Sequence, residues 1–153
     1  MVRVIVPEAD MAVKLCAIER AAFAGREVPW TPEDYMNVGG PPSAAILTDD
    51  TVTEGLLVLQ FAADEGEVIN LGVVPGARRR GLGRELLASG EALAQDLGIA
   101  RLFLEVAMDN EPARALYQTA GYRQVGQRKE YYTRPDGSRM DALIMSKSLG
   151  AAA

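Results

Sequence analysis

The order of predicted elements, β-α-α-β-β-β-α-β-α-β-β, makes this chain a mixed α/β protein built around one sheet. Two patterns lead there. Three β-rich runs at 44–48, 55–62 and 67–74, separated by short acidic turns, give an antiparallel section, because a tight turn returns a strand beside its predecessor. The helix at 82–97 and the strand at 101–106 then complete a strand–helix–strand crossover, which makes two strands parallel. The expected architecture is an antiparallel N-terminal section, one parallel pair, and flanking helices. A chain of 153 residues can bury an adequate core as one domain. No linker or repeat divides residues 1–150.

The elements follow in order. Residues 2–6 are a short β-rich run ending at Pro7. Asp10 or a neighbour opens a helix to about residue 23, with Val13, Ala17 and Ala21 as its apolar stripe. Thr31-Pro32-Glu33-Asp34 opens a second, short helix: Thr31 can cap, Pro32 suits the first turn, and Asp34 completes a capping box. Gly39-Gly40-Pro41-Pro42 then breaks the chain. Turns are expected at Asp49-Asp50 and Asp64-Glu65-Gly66 between the three strands. In the long helix, Leu82, Leu86, Leu93 and Leu97 mark one face and Gly98 terminates it. A last helix spans 111–119, with Asn110 as cap, Pro112 in its first turn and Gly121 past its end. Strands at 124–132 and 141–148 close the chain as a hairpin across Arg134-Pro135-Asp136-Gly137.

Composition excludes several functions. There is no histidine, so His-containing metal sites and Ser-His or Cys-His pairs are out, and no metal site is expected. One cysteine excludes an internal disulfide, and Cys16, among Leu15, Ala17 and Ile18, reads as small-residue packing or, alternatively, as an acyl carrier. No apolar run reaches the ~18 residues of a membrane span, and no signal peptide is evident, so a cytoplasmic protein without a membrane partner is expected. A net charge of −5 argues against nucleic acid. Yet Arg78, Arg79, Arg80 and Arg84 crowd together. They form either a solvated basic turn or a site for a small anionic ligand.

The stretch LGVVPGARRRGLGR, residues 71–84, runs from a strand directly into a helix. Gly81 and Gly83 let the backbone approach a ligand, and the helix start presents unpaired N–H groups and a positive dipole end, which suits a diphosphate between Val73 and Arg84. The Gly-Lys-Ser/Thr end of a Walker loop is absent, and Leu86 is too large for the third position of a dinucleotide fingerprint.

With these residues the chain resembles the GCN5-related N-acetyltransferase (GNAT) superfamily, and within it the bacterial enzymes that acetylate the N-terminal alanine of a ribosomal protein. The resemblance runs from about 67 to 149 and includes NLGVVPGARRRGLGRELL, LFLEV, DNEPARALYQTAGY and YYTRPDGSRMDALIMSKSL, with an earlier echo in Glu19-Arg20-Ala21 and Pro29-Trp30-Thr31. It implies a single-domain GNAT fold, acetyl-CoA as cosubstrate, and an amine acceptor, in particular a protein N-terminus. It further implies that the backbone of Leu71, Gly72 and Val73 pairs with the pantetheine arm. Arg79, Arg80, Gly81, Leu82, Gly83 and Arg84 would hold the pyrophosphate, with Asn110 also on the cofactor. The resemblance makes Glu105 the general base and Tyr117 the general acid.

Those roles are chemically reasonable. An α-amino group titrates near pH ~8 and must lose a proton before it can attack a thioester. Glu105 lies in an apolar strand, where desolvation would raise its pKa; the alternative is a carboxylate on the strand's solvent face. Tyr117 shares a helical face with Asn110 and Arg114 and would donate to the departing thiolate, or else simply pack in the core. Trp30 and the pair Tyr131 and Tyr132 are candidate groove walls; packing on the short helix and a cross-strand pair are the alternatives. Glu27, Glu33 and Asp34 would attract an amine. The chain departs from the ribosomal-protein enzymes in carrying Ala107 where they commonly have arginine, and in extra residues at 25–28. Other readings are a small-amine acetyltransferase and a non-catalytic acyl-CoA-binding module.

Overall fold

A computed structural model describes residues 1–23, 29–134 and 136–150. Its elements are β1 (Val2–Ile5), α1 (Ala9–Ala22), α2 (Pro32–Met36), β2 (Ala44–Asp49), β3 (Gly55–Ala62), β4 (Glu65–Val73), α3 (Leu82–Asp96), β5 (Arg101–Ala107), α4 (Glu111–Thr119), β6 (Arg123–Thr133) and β7 (Arg139–Ser148). A 3₁₀ turn, Pro75–Ala77, joins β4 to the glycine-rich segment before α3. The seven strands form one sheet in the order β1-β2-β3-β4-β5-β7-β6. Only β4 and β5 pair in parallel.

The local signals act as predicted at most boundaries. Thr31 and Asp34 make the reciprocal capping box, with Asp34 N–H donating to Thr31 Oγ1 at 3.2 Å and Thr31 N–H to Asp34 Oδ2 at 2.8 Å. Gly98 stops α3 in the left-handed region at φ 81°. Asn110 Oδ1 accepts from the Ala113 N–H at 3.3 Å and caps α4. The turn between β3 and β4 is tighter than predicted: Ala62 pairs with Glu65, so only Ala63 and Asp64 lie outside the strands.

Two cores lie on opposite faces of the sheet. Leu57, Leu59, Leu102, Leu104 and Val106 pack under α3 with Leu86, Leu87 and Tyr117. Ile46, Leu56 and Val58 pack under α1 and α2 with Leu15, Ile18 and Tyr35. The predicted stripe of α1 is corrected here. Val13 is 59% exposed, Ala17 and Ala21 are exposed, and the helix instead buries Ala12, Leu15, Cys16, Ile18 and Glu19. The buried face carries a carboxylate, which disguised it in the sequence; hydrogen bonds from Tyr35 and Trp30 compensate that burial.

The turn after β2 is organised by Asp49, which is 7% exposed. Its Oδ1 accepts from the N–H of Glu54 at 2.9 Å and of Gly55 at 3.1 Å, and its Oδ2 from the Thr51 hydroxyl at 2.8 Å. Burial alone would raise its pKa; these hydrogen bonds outweigh burial and hold it below the ordinary value. A folded pKa below the unfolded one stabilises above the unfolded value of ~3.9 and is lost as pH falls through the folded value. Asp49→Asn is therefore expected to cost about 1–3 kcal/mol in urea unfolding at pH 7, with the gap from wild type closing in acid.

Candidate active site

The parallel pair opens the site. Residues 65–68 of β4 ladder with 101–104 of β5, and the pairing ends at Val68 opposite Leu104. On the other edge of β4 the register slips, with Asn70 opposite Val58 and Val68 opposite Leu59, so Ile69 is an extra residue. The two strands part towards their C-terminal ends, where α/β sheets place their ligands.

A cleft of about 790 Å³ lies there, between the end of β4, the start of α3, and α4. Leu71, Gly72, Val73, Arg79, Gly81, Leu82, Gly83, Arg84 and Asn110 line it, and so does Tyr117. Gly81 is the N-cap of α3, in the left-handed region at φ 80°, and has no side chain with which to cap the first-turn amides. A helix start of this kind offers free N–H donors and a positive dipole end to a diphosphate. The cleft therefore suits the elongated, anionic cosubstrate implied by the sequence.

The arginines divide. Arg79 and Arg84 are exposed at the cleft. Arg78 also borders it, but its Nη2 donates to Ala22 O at 2.9 Å and its Nε to Val73 O at 3.0 Å, tying the end of α1 to β4. Arg80 does not line the cleft. Its Nη2 pairs with Glu54 Oε2 at 2.9 Å and reaches Gly76 O at 3.3 Å, so its side chain is engaged with protein atoms. Gly72 has a packing reason that the sequence did not reveal: a Cβ there would meet Ala22 Cβ and the Phe23 ring at 2.9 Å.

Tyr117 is 7% exposed, with its ring edge-on to Tyr122 at 5.8 Å. Burial, with the Tyr132 phenol adding to it, pushes its pKa well above the ordinary tyrosine value. The phenol keeps its proton at any working pH. Arg114, expected on the same ligand-facing side, turns instead to the loop before α4, where its Nη1 donates to Met108 O at 2.9 Å.

Glu105 faces the other side of the sheet, in a groove of about 490 Å³ that also includes Glu65, Glu67, Gln60 and Val38. The sequence left open a desolvated carboxylate or one on the strand's solvent face. The structure shows one that is 18% exposed and paired, its Oε1 2.9 Å from Arg128 Nε. Arg128, which the sequence reading missed, reaches from β6 across β7, and its guanidinium lies 5.2 Å from the Tyr131 ring. Only the strand order could have revealed it. A second cleft of about 450 Å³, lined by Trp30, Asp34 and Asn37, shares Val38 and Gln60 with this groove.

The remaining candidates fall as follows. Trp30 both lines the second cleft and packs on Tyr35, with ring centroids 4.9 Å apart. Tyr131 and Tyr132 are edge-on neighbours at 5.2 Å; Tyr132 pairs with Met140, so they are not a cross-strand pair. Glu33 is exposed on α2 outside both clefts, and Glu27 lies outside the described residues. Cys16 is buried, and burial with the nearby Glu19 carboxylate pushes its thiol up, which disfavours an acyl-carrier role.

Comparison with known proteins agrees with this geometry. Residues 16–122 match the model of the acetyltransferase (GNAT) family. A Haemophilus ducreyi protein, [ribosomal protein bS18]-alanine N-acetyltransferase, is 34% identical over 134 residues, covering 87% of this chain and 90% of its own. The Escherichia coli K12 protein of that name is 35% identical over 133 residues, covering 84% and 85%. The crystal structure of the Escherichia coli ribosomal-protein-S18-alanine N-acetyltransferase superposes with a TM-score of 0.83 at 30% identity, covering 100% of this chain and 97% of the other. The chain belongs to the GNAT family, and it is an acetyl-CoA-dependent N-acetyltransferase.

Proposed function

We propose that this enzyme acetylates the α-amino group of a protein N-terminus, by direct transfer in a ternary complex, as one cytoplasmic N-acetyltransferase domain over residues 1–150. The observation that carries the reading is the position of Glu105 in a groove that shares Val38 and Gln60 with a second, adjacent cleft. A groove extended in this way suits a chain trailing behind the reactive amine. Glu65 and Glu67 give it the charge that attracts a cation. The names of the relatives, which are ribosomal-protein alanine acetyltransferases, support the same acceptor.

In this reading acetyl-CoA supplies a thioester acetyl group at the cleft. The backbone of Leu71, Gly72 and Val73 aligns the pantetheine arm. The amides at Gly81, Leu82 and Gly83 hold the pyrophosphate, with the side chains of Arg79 and Arg84 adding charge and Asn110 bordering the cofactor. Glu105 takes the ammonium proton of the acceptor, directly or through a water. The freed amine attacks the thioester carbonyl, the C–S bond breaks as Tyr117 donates its phenolic proton to the leaving sulfur, and the second proton shed by the nitrogen restores the phenol. Arg79→Ala is accordingly expected to raise the KM for acetyl-CoA severalfold, whereas Arg80→Ala, which loses its bond to Glu54, leaves it nearly unchanged. Steady-state kinetics on the two variants checks this.

The test of function is free-thiol release from acetyl-CoA with a ribosomal-type N-terminal peptide against a panel of small amines. Faster release with the peptide supports the proposal. Release with amines alone replaces the acceptor, and cofactor binding without any release removes the catalytic reading.

A further inference from the structure

Within the reading of this groove as the acceptor's, we infer that Glu19 is a positioning residue whose buried carboxylate, bonded to the Trp30 main chain and to Tyr35 behind it, holds Trp30 in place as one wall. Glu19 is 1% exposed on α1, and Tyr35 of α2 is fully buried. Glu19 Oε1 accepts from the Tyr35 hydroxyl at 2.6 Å, and Oε2 accepts from the Trp30 backbone N–H at 2.7 Å. The clamp thus grips a side chain of α2 and the main chain leading into it.

The segment needs such a clamp. α2 has only five residues, and a helix that short has no stability of its own. Stability alone does not explain a carboxylate at this place, because a well-packed apolar side chain serves a core at least as well as a buried charge. What the carboxylate adds is geometry, since short charge-assisted hydrogen bonds fix direction as well as distance. The consequence lies on the acceptor side: Trp30 lines the second cleft with Asp34 and Asn37. That cleft adjoins the groove of Glu105, with which it shares Val38 and Gln60. Glu19 lines none of these cavities, so it acts through the residues it holds.

Trp30 is the only tryptophan in the chain, and its fluorescence reports on the wall directly. The experiment compares wild type, Glu19→Gln and Tyr35→Phe in steady-state kinetics with a hexapeptide bearing a free N-terminus, alongside Trp30 emission with and without the peptide. Glu19→Gln is expected to raise the peptide KM about tenfold, as for loss of a hydrogen bond to a charged group, while the KM for acetyl-CoA stays within about twofold. Its Trp30 emission shifts to the red, and Tyr35→Phe shows a smaller change of the same kind. Equal rises in both KM values, or an unchanged peptide KM and emission, overturn the inference. Should Glu19→Gln not fold, Tyr35→Phe, which keeps the ring, decides by the same criteria. If wild type acetylates small amines but no peptide, the protein N-terminal reading fails by itself. The clamp is then judged on the amine's KM, and an unchanged value overturns it.

Discussion

Replacing Tyr117 by phenylalanine is expected to lower kcat by about 10²–10⁴-fold, the usual contribution of a general acid, with little change in the KM for acetyl-CoA. The substitution removes one oxygen and leaves the ring, so the edge-on packing against Tyr122 and the core under α3 persist. The effect is therefore chemical and not a loss of fold. A phenol is protonated near neutral pH, the state a donor must be in when the thiolate departs, and burial raises its pKa further. For the same reason the wild-type pH profile is expected to show no alkaline limb from Tyr117. Pre-steady-state turnover and equilibrium binding of acetyl-CoA separate the two quantities. Unchanged turnover in the variant would reject the role.

Glu105→Gln is the second large effect, expected to reduce kcat/KM for the acceptor by about 10²-fold or more near pH 7. The amide keeps the size of the side chain but cannot take a proton. Only the acceptor fraction already neutral then reacts, and that fraction grows through the amine's pKa of ~8. The deficit should therefore shrink as pH rises. A deficit that stays constant with pH would instead indicate disturbance of the groove by Arg128, which the substitution deprives of its ion-pair partner. The pH dependence of kcat/KM from 6 to 10 distinguishes the two.

The glycine turn at the start of α3 was legible because its signals are local. Gly81, Gly83 and the start of α3 are contiguous in sequence, and the chemistry of that turn is backbone chemistry, fixed by where glycine and helix fall. The groove of Glu105 was not legible in the same way. Glu65 read as part of an acidic turn until the tight two-residue hairpin placed it in β4, facing the groove. The arginine cluster read as one unit, yet Arg78 and Arg80 are bonded to protein atoms while Arg79 and Arg84 stay at the cleft. A run of like charges does not tell which partner each one finds.

What the sequence determined by itself was the succession of elements, the mixed sheet and the position of the glycine turn before α3, because capping residues, glycine stops and alternation act within a few residues. What only the tertiary structure decided depended on elements far apart in the chain. The closing hairpin inserts β7 between β5 and β6, and this brings Arg128 to Glu105 across β7. The buried face of α1 was settled by Tyr35 and Trp30, whose hydrogen bonds make a carboxylate acceptable in the core. Periodicity counts apolar side chains on a helix; it does not register the distant donors that allow a charge to join them.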